Sequence, residues 1–113
     1  MDLVEVLETI RREFATAHLA MQAGNDGMVR VCARRAAGTA IVHWRKSHPL
    51  PGSGTNAVTR LQSLAEDAAI PEGVRSAAKR LCAKTGADHL PTTPANALED
   101  CRLIIRHLLG ESI

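Results

Sequence analysis

The sequence predicts an all-α fold, an up-and-down antiparallel bundle of four to five helices forming one domain over residues 1–113. Three observations lead there. Several segments space their apolar residues three and four apart, no segment alternates with period two, and Pro, Gly and cap-forming residues punctuate the chain where short connections would fall. At 113 residues the chain is long enough for one core and too short for a separate catalytic domain. No internal repeat of roughly 34 residues marks a solenoid, so a closed bundle is expected.

The first helix is predicted over residues 2–23, with Leu3, Leu7, Ile10, Phe14, Ala17 and Met21 on one face. Asp2 and Glu5 suit the positive end of its dipole, and AGND at 23–26 ends it in a tight hairpin. The second helix runs from Asp26 or Gly27 to Ser47. Its centre, AAGTAIV, is apolar nearly all round, as expected of an element with several neighbours, and Gly38 allows one of them to come close. HPLPGSG at 48–54 is loop by composition. Thr55 or Asn56 caps a third helix to about Ala68, turning Val58, Leu61, Ala65 and Ala68 inward. Pro71 suits the first position of a fourth helix that carries Val74, Ala78, Leu81 and Cys82 and stops at Thr85-Gly86. ADHLPTT is again loop. Thr93 caps and Pro94 starts the last helix, whose stripe is Ala97, Leu98, Cys101, Ile104, Ile105 and Leu108, before Gly110.

Composition narrows the functional classes. A chain that is 45% hydrophobic and 23% charged is not disordered as a whole. Phe14 and Trp44 are the only aromatics, and the abundance of alanine predicts closely approaching helices. Residues 1–23 mix charged with apolar residues and hold no signal-peptide run, so a cytoplasmic protein without a membrane span is expected. Cys32, Cys82 and Cys101 are widely spaced and odd in number, which predicts buried thiols rather than a disulfide framework or zinc site. His43 and His48 have no carboxylate or thiol nearby in sequence, so no metal and no cofactor is expected.

The net charge is only +2, but it is unevenly placed. Arg30, Arg34, Arg35, Arg45 and Lys46 fall in one run without an acid, and Arg75, Lys79, Arg80 and Lys84 in another. Arg30 with Arg34, and Arg75 with Lys79, are like-charge pairs four apart, each costing a few tenths of a kcal/mol unless an anion lies close. Arg30, Arg34, Arg35, Arg75 and Lys79 are therefore the candidate nucleotide- or phosphate-binding residues. With so few aromatics to stack on bases, binding would be sequence-tolerant.

The order of these features resembles the small HEPN domains, helical proteins of higher eukaryotes and prokaryotes named for nucleotide binding. The likeness spans roughly residues 10–109. It is carried by the long amphipathic first helix, the alanine-rich ARRAAGTAIVHWRK, a Pro-containing loop, two shorter helices leading to DHLPTTP, and the final PANALEDCRLIIRHLL. The resemblance implies a bundle that usually dimerises. It also implies a choice among a metal-independent ribonuclease toxin, a partner of a small nucleotidyltransferase, and a nucleotide-binding or scaffold module. Gly38 stands where many members carry a glutamate, so no role of that carboxylate carries over.

The ribonuclease branch is marked by an arginine and a histidine with four to six residues between them, which makes Arg102 and His107 the candidate catalytic pair. Histidine would move the proton of the 2′-hydroxyl and arginine would stabilise the phosphorane. Eleven arginines and five histidines give about 1.5 such matches by chance, and Arg11 and Arg12 match again through His18. Helical geometry points Leu103 away from the Cys101 stripe, with Arg106 beside it, so Leu103 and Arg106 mark a candidate homodimer face. A rival from another class is a DNA-reading helix-turn-helix in LQSLAEDAAIPEGVRSAAKRL. There Ala69 stands where the turn usually has glycine, and Val74 comes one residue early for the position that locks the second helix. The residues therefore favour a homodimeric binding module for a nucleotide, RNA or an acidic partner protein over an enzyme.

Overall fold

A computed structural model describes residues 1–83 and 93–113. It contains five helices: α1 (Leu3–Gln22), α2 (Asp26–Arg45), α3 (Ala57–Ala65), α4 (Glu72–Cys82) and α5 (Pro94–Leu109), with no strand among the described residues. The all-α class is as expected. A radius of gyration of 13.2 Å matches the roughly 13 Å of a closed domain this size, rather than a stretched array.

The caps explain where the helices begin. The side chains of Asp2, Asn25 and Thr93 each accept the backbone N–H three residues on, at 2.9, 3.2 and 3.1 Å. Asn56 and Thr59 form a reciprocal capping box at the start of α3. Gly110, at φ +69°, ends α5 in the left-handed conformation that glycine adopts freely.

α2 is the hub. It packs on α1, α3, α4 and α5, while α3 packs on α4 and α4 on α5. Its buried residues are mostly small: Cys32, Ala33, Ala36, Ala37, Gly38 and Ala40. Small side chains let four partners approach one helix, and the bulk comes from Ile10, Leu61, Leu64, Ile104 and Ile105 around it, all fully buried. At Gly38 an added Cβ would stand 3.3 Å from both Cα and Cβ of Ala57, so glycine sets how closely the start of α3 rests on α2.

α1, α3 and α4 differ in detail from expectation. The α1 stripe is right in its centre, but Leu3 is exposed and Met21 only half-buried; Val6 and Ala20 are buried in addition. α3 stops at Ala65 instead of Ala68, leaving Val58 and Ala68 exposed while Leu64 is buried. The reason is Asp67. Its carboxylate accepts the N–H of Ala69 at 3.0 Å, its carbonyl accepts the N–H of Ile70 at 3.0 Å, and this turn drives Ile70 into the core. Pro71 caps α4 from outside rather than opening it, and α4 ends at Cys82. The expected stop at Thr85-Gly86, Lys84 and the loop ahead of Thr93 lie outside the described residues. No described helix is long and apolar enough to cross a membrane.

Candidate functional site

Arg35, Thr39, Val42, His43 and Lys46 follow the three- and four-residue steps of one helix face, so they line one side of α2 over about 16 Å. That side forms a cleft of ≈ 420 Å³ with Val6 and Glu13 of α1 and with Ala57 and Arg60 of α3; Gly38 lies on its floor and Met1 on its rim. Three formal positive charges, on Arg35, Lys46 and Arg60, face one negative charge on Glu13. The Lys46 ammonium donates to the Met1 carbonyl at 3.2 Å, and the Thr39 hydroxyl is turned back onto the Arg35 carbonyl at 2.9 Å. His43 Nδ1 is buried and finds no hydrogen-bond partner among the described residues.

The charged side chains lining the cleft leave it with a positive balance. Glu13 lies at the Cys32 end of the cleft, where burial first, and then the Glu13 charge, raises the Cys32 thiol above its usual value. His43 is eleven residues beyond Cys32 along α2, an axial rise of about 16 Å. General acid–base catalysis needs each group within hydrogen-bond distance of the proton it handles, and the one carboxylate and the one imidazole of this cleft stand toward its two ends.

The nominated phosphate ligands separate in space. Only Arg35 lines this cleft; Arg30, Arg34, Arg75 and Lys79 do not. Arg34 is turned to α4, where its Nε donates to the Leu81 carbonyl at 2.8 Å and its Nη2 to the Ala83 carbonyl at 3.2 Å. It thus satisfies carbonyls that the end of α4 leaves open. Arg75 is half-buried near Asp67, and Lys79 is exposed. Lys46 was visible within the first acid-free run. Arg60 follows a capping box with no basic neighbour, and nothing local marks it.

Arg102 and His107 do not face each other. Five residues of helix turn them about 140° apart. Arg102 is held by Glu99 at 2.6 Å and lies over the Phe14 ring, 5.2 Å from its centroid, while His107 is exposed. Leu103 is 36% exposed and Arg106 is exposed beside it.

At the C-terminal end of α2, Trp44 stacks on His48 with ring centroids 4.3 Å apart, and the Arg45 guanidinium lies 4.7 Å from the Trp44 ring. Arg45 pairs with Asp67 at 2.9 Å and ties α2 to the turn after α3. A second interhelix ion pair, missed in the sequence, joins the exposed Arg80 to the buried Asp100 at 2.8 Å and links α4 to α5. No cluster of three or more His, Cys, Asp or Glu side chains forms a metal cage among the described residues. No protein family, curated protein or solved structure matches this chain.

Proposed function

We propose that the chain is a HEPN-like binding module that takes a nucleotide by its phosphates in the cleft along α2. The observation that carries this is the convergence of Arg35, Lys46 and Arg60 on a ≈ 420 Å³ cleft with a single acid. That volume falls in the range of small-molecule sites, roughly 300–1,000 Å³. Val6, Val42, Ala57 and Gly38 give the cleft an apolar floor but no aromatic face, so recognition rests on phosphate charge and shape rather than base stacking. The helix order of the sequence supports the HEPN-like reading. The separation of Glu13 from His43 along the cleft, and the engagement of Arg102 by Glu99 and the Phe14 ring, favour binding over catalysis.

The outer face of α5, with Leu103 and Arg106, is the surface through which two copies pair on this reading; Leu103→Glu would convert a dimer to a monomer in light scattering. The functional test is calorimetric titration with ATP at two salt concentrations. Arg35→Gln and Arg60→Gln each weaken binding by about tenfold or more, as the loss of one charged hydrogen-bond partner does. Lys79→Gln and His107→Ala leave it unchanged, and added salt weakens it in the wild type. Absence of ATP binding, or wild-type affinity in both Arg35→Gln and Arg60→Gln, would remove the proposal.

A further inference from the structure

Beside the cleft, on the other side of Val42 and Arg60, lies a smaller pocket of ≈ 190 Å³ lined by Ile41, Val42, Arg45, Ser53, Gly54 and Arg60. Arg45 is its unusual member. The side chain is only 9% exposed, and of its three guanidinium nitrogens only Nη1 is engaged, with Asp67 at 2.9 Å and the His48 carbonyl at 3.4 Å. Nε and Nη2 are buried without a hydrogen-bond partner among the described residues. A guanidinium carries five N–H donors, and three of these sit on the two unmatched nitrogens. Buried charged donors are costly when unmatched, and a bound ion or water is the usual way they are met.

The local charge is also out of balance. Asp67 is approached by two guanidiniums, Arg45 in contact and Arg75 at longer range, and the Arg75 Nε is likewise buried without a partner. One carboxylate offsets one cation, and Arg60 adds a third positive charge at the pocket wall. The wall opposite is set rather than adaptable. Gly54 has φ +107°, and an added Cβ would come within 2.6 Å of Thr59 Oγ1 and 2.7 Å of the Arg60 nitrogen. Only glycine lets the loop lie so close to α3.

We propose that Arg45 and Arg60 hold a single tetrahedral oxyanion, a phosphate group, in this pocket, beside the nucleotide cleft and with Arg45 as an anchor the cleft does not share. The planar guanidinium edge formed by Nε and Nη2 matches two phosphate oxygens, with Nη1 staying on Asp67. Because that edge is shielded from solvent in the unliganded chain, occupation pivots the guanidinium about its Nη1–Asp67 contact, over the Trp44 ring, so that Nε and Nη2 open to the pocket. The pocket has space for one phosphate and not for a nucleoside. The phosphate is either free in solution or the terminal group of a ligand lying in the adjoining cleft, since Arg60 borders both.

The test is thermal melting of the full chain while inorganic phosphate replaces chloride at constant ionic strength. The wild type gains a saturable rise in melting temperature. Arg45→Lys keeps a charge for Asp67 but lacks the two-nitrogen edge, and its phosphate-dependent rise disappears, whatever its melting temperature in chloride. Arg35→Gln, which alters only the cleft, keeps the phosphate rise while losing the response to ATP. Should Arg45→Lys fail to fold, Arg60→Gln takes its place, with loss of both responses expected. Saturating ATP tells the two sources apart. If it cancels the phosphate rise, the site takes the ligand's terminal phosphate; if the rise is undiminished, it takes free phosphate. A wild type that responds equally to phosphate and chloride would mean the buried nitrogens meet water only, and the site is wrong. A phosphate rise that survives in Arg45→Lys, or that vanishes in Arg35→Gln, also overturns it.

Discussion

Replacing Arg34 with methionine tests whether this arginine serves a ligand or the fold. Methionine keeps most of the unbranched stem and removes the guanidinium, so packing changes little and two hydrogen bonds are lost. The bond from Nε to the Leu81 carbonyl is 2.8 Å long and part-buried, and a charged donor there contributes about 1.5–2 kcal/mol. The bond from Nη2 to the Ala83 carbonyl is longer, at 3.2 Å, and exposed, and about 0.5 kcal/mol is a fair share for it. Loss of a like charge four residues from Arg30 returns a few tenths of a kcal/mol at most. The expected net loss is about 2 kcal/mol, which at this chain length lowers the melting temperature by roughly 8 °C. Urea unfolding followed by far-UV circular dichroism measures it, with an unchanged denaturant slope showing that the unfolded state is the same. A loss below about 0.5 kcal/mol would refute the assignment of Arg34 to the end of α4, and a coincident loss of ATP binding would return it to the ligand site.

Further expectations follow from the same contacts. Asp67 has its carboxyl held below the usual value by the Ala69 N–H first and by Arg45 second. Its share of stability is therefore full above the unfolded value near 3.8 and is lost as pH falls through the lower folded value. Asp67→Asn should remove that acid-side loss in urea titrations, and an unchanged pH profile would count against the Arg45–Asp67 pair. Burial pushes the Cys101 thiol up to about 12, against an ordinary 9.0, so it carries about a thousandfold less thiolate than a free thiol at mildly alkaline pH. Alkylation should reach half-buried Cys82 in the folded protein and Cys101 only on unfolding; equal rates would contradict this packing of α5. Gly54→Ala forces an L-residue into φ +107° against Thr59 and should cost on the order of 2–3 kcal/mol in chemical denaturation.

The parts of this fold that were legible in the sequence are those set by local chemistry. Thr93-Pro94 and Gly110 bracket α5 because a cap, a fixed φ and a left-handed residue each act within a few bonds, and all six residues of its predicted stripe are buried. The end of α3 was not legible, since Ala68 has good helix propensity and nothing nearby forbids one more turn. It is decided by Asp67, whose side chain is held from 22 residues away by Arg45. The same limit governs the site. A run of basic residues locates charge along the chain but not its direction. Arg34 and Arg35 are adjacent in sequence, yet one is consumed by the end of α4 and the other opens into the cleft. Arg60 joins that cleft because Gly38 lets α3 settle onto α2, a tertiary event that no local pattern around Arg60 announces. Arg102 and His107 satisfy a spacing in sequence, but the spacing gives no sign that Arg102 is engaged by Glu99 and the Phe14 ring while His107 is exposed.

Whether the ligand lies along α2 can be read from backbone amide chemical shifts in an ATP titration. Shifts are expected between Arg35 and Lys46 and around Arg60, with α5 from Arg102 to His107 undisturbed. Shifts confined to Arg102–His107, or to Arg75 and Lys79 on α4, would contradict it, as would a spectrum that ATP leaves unchanged.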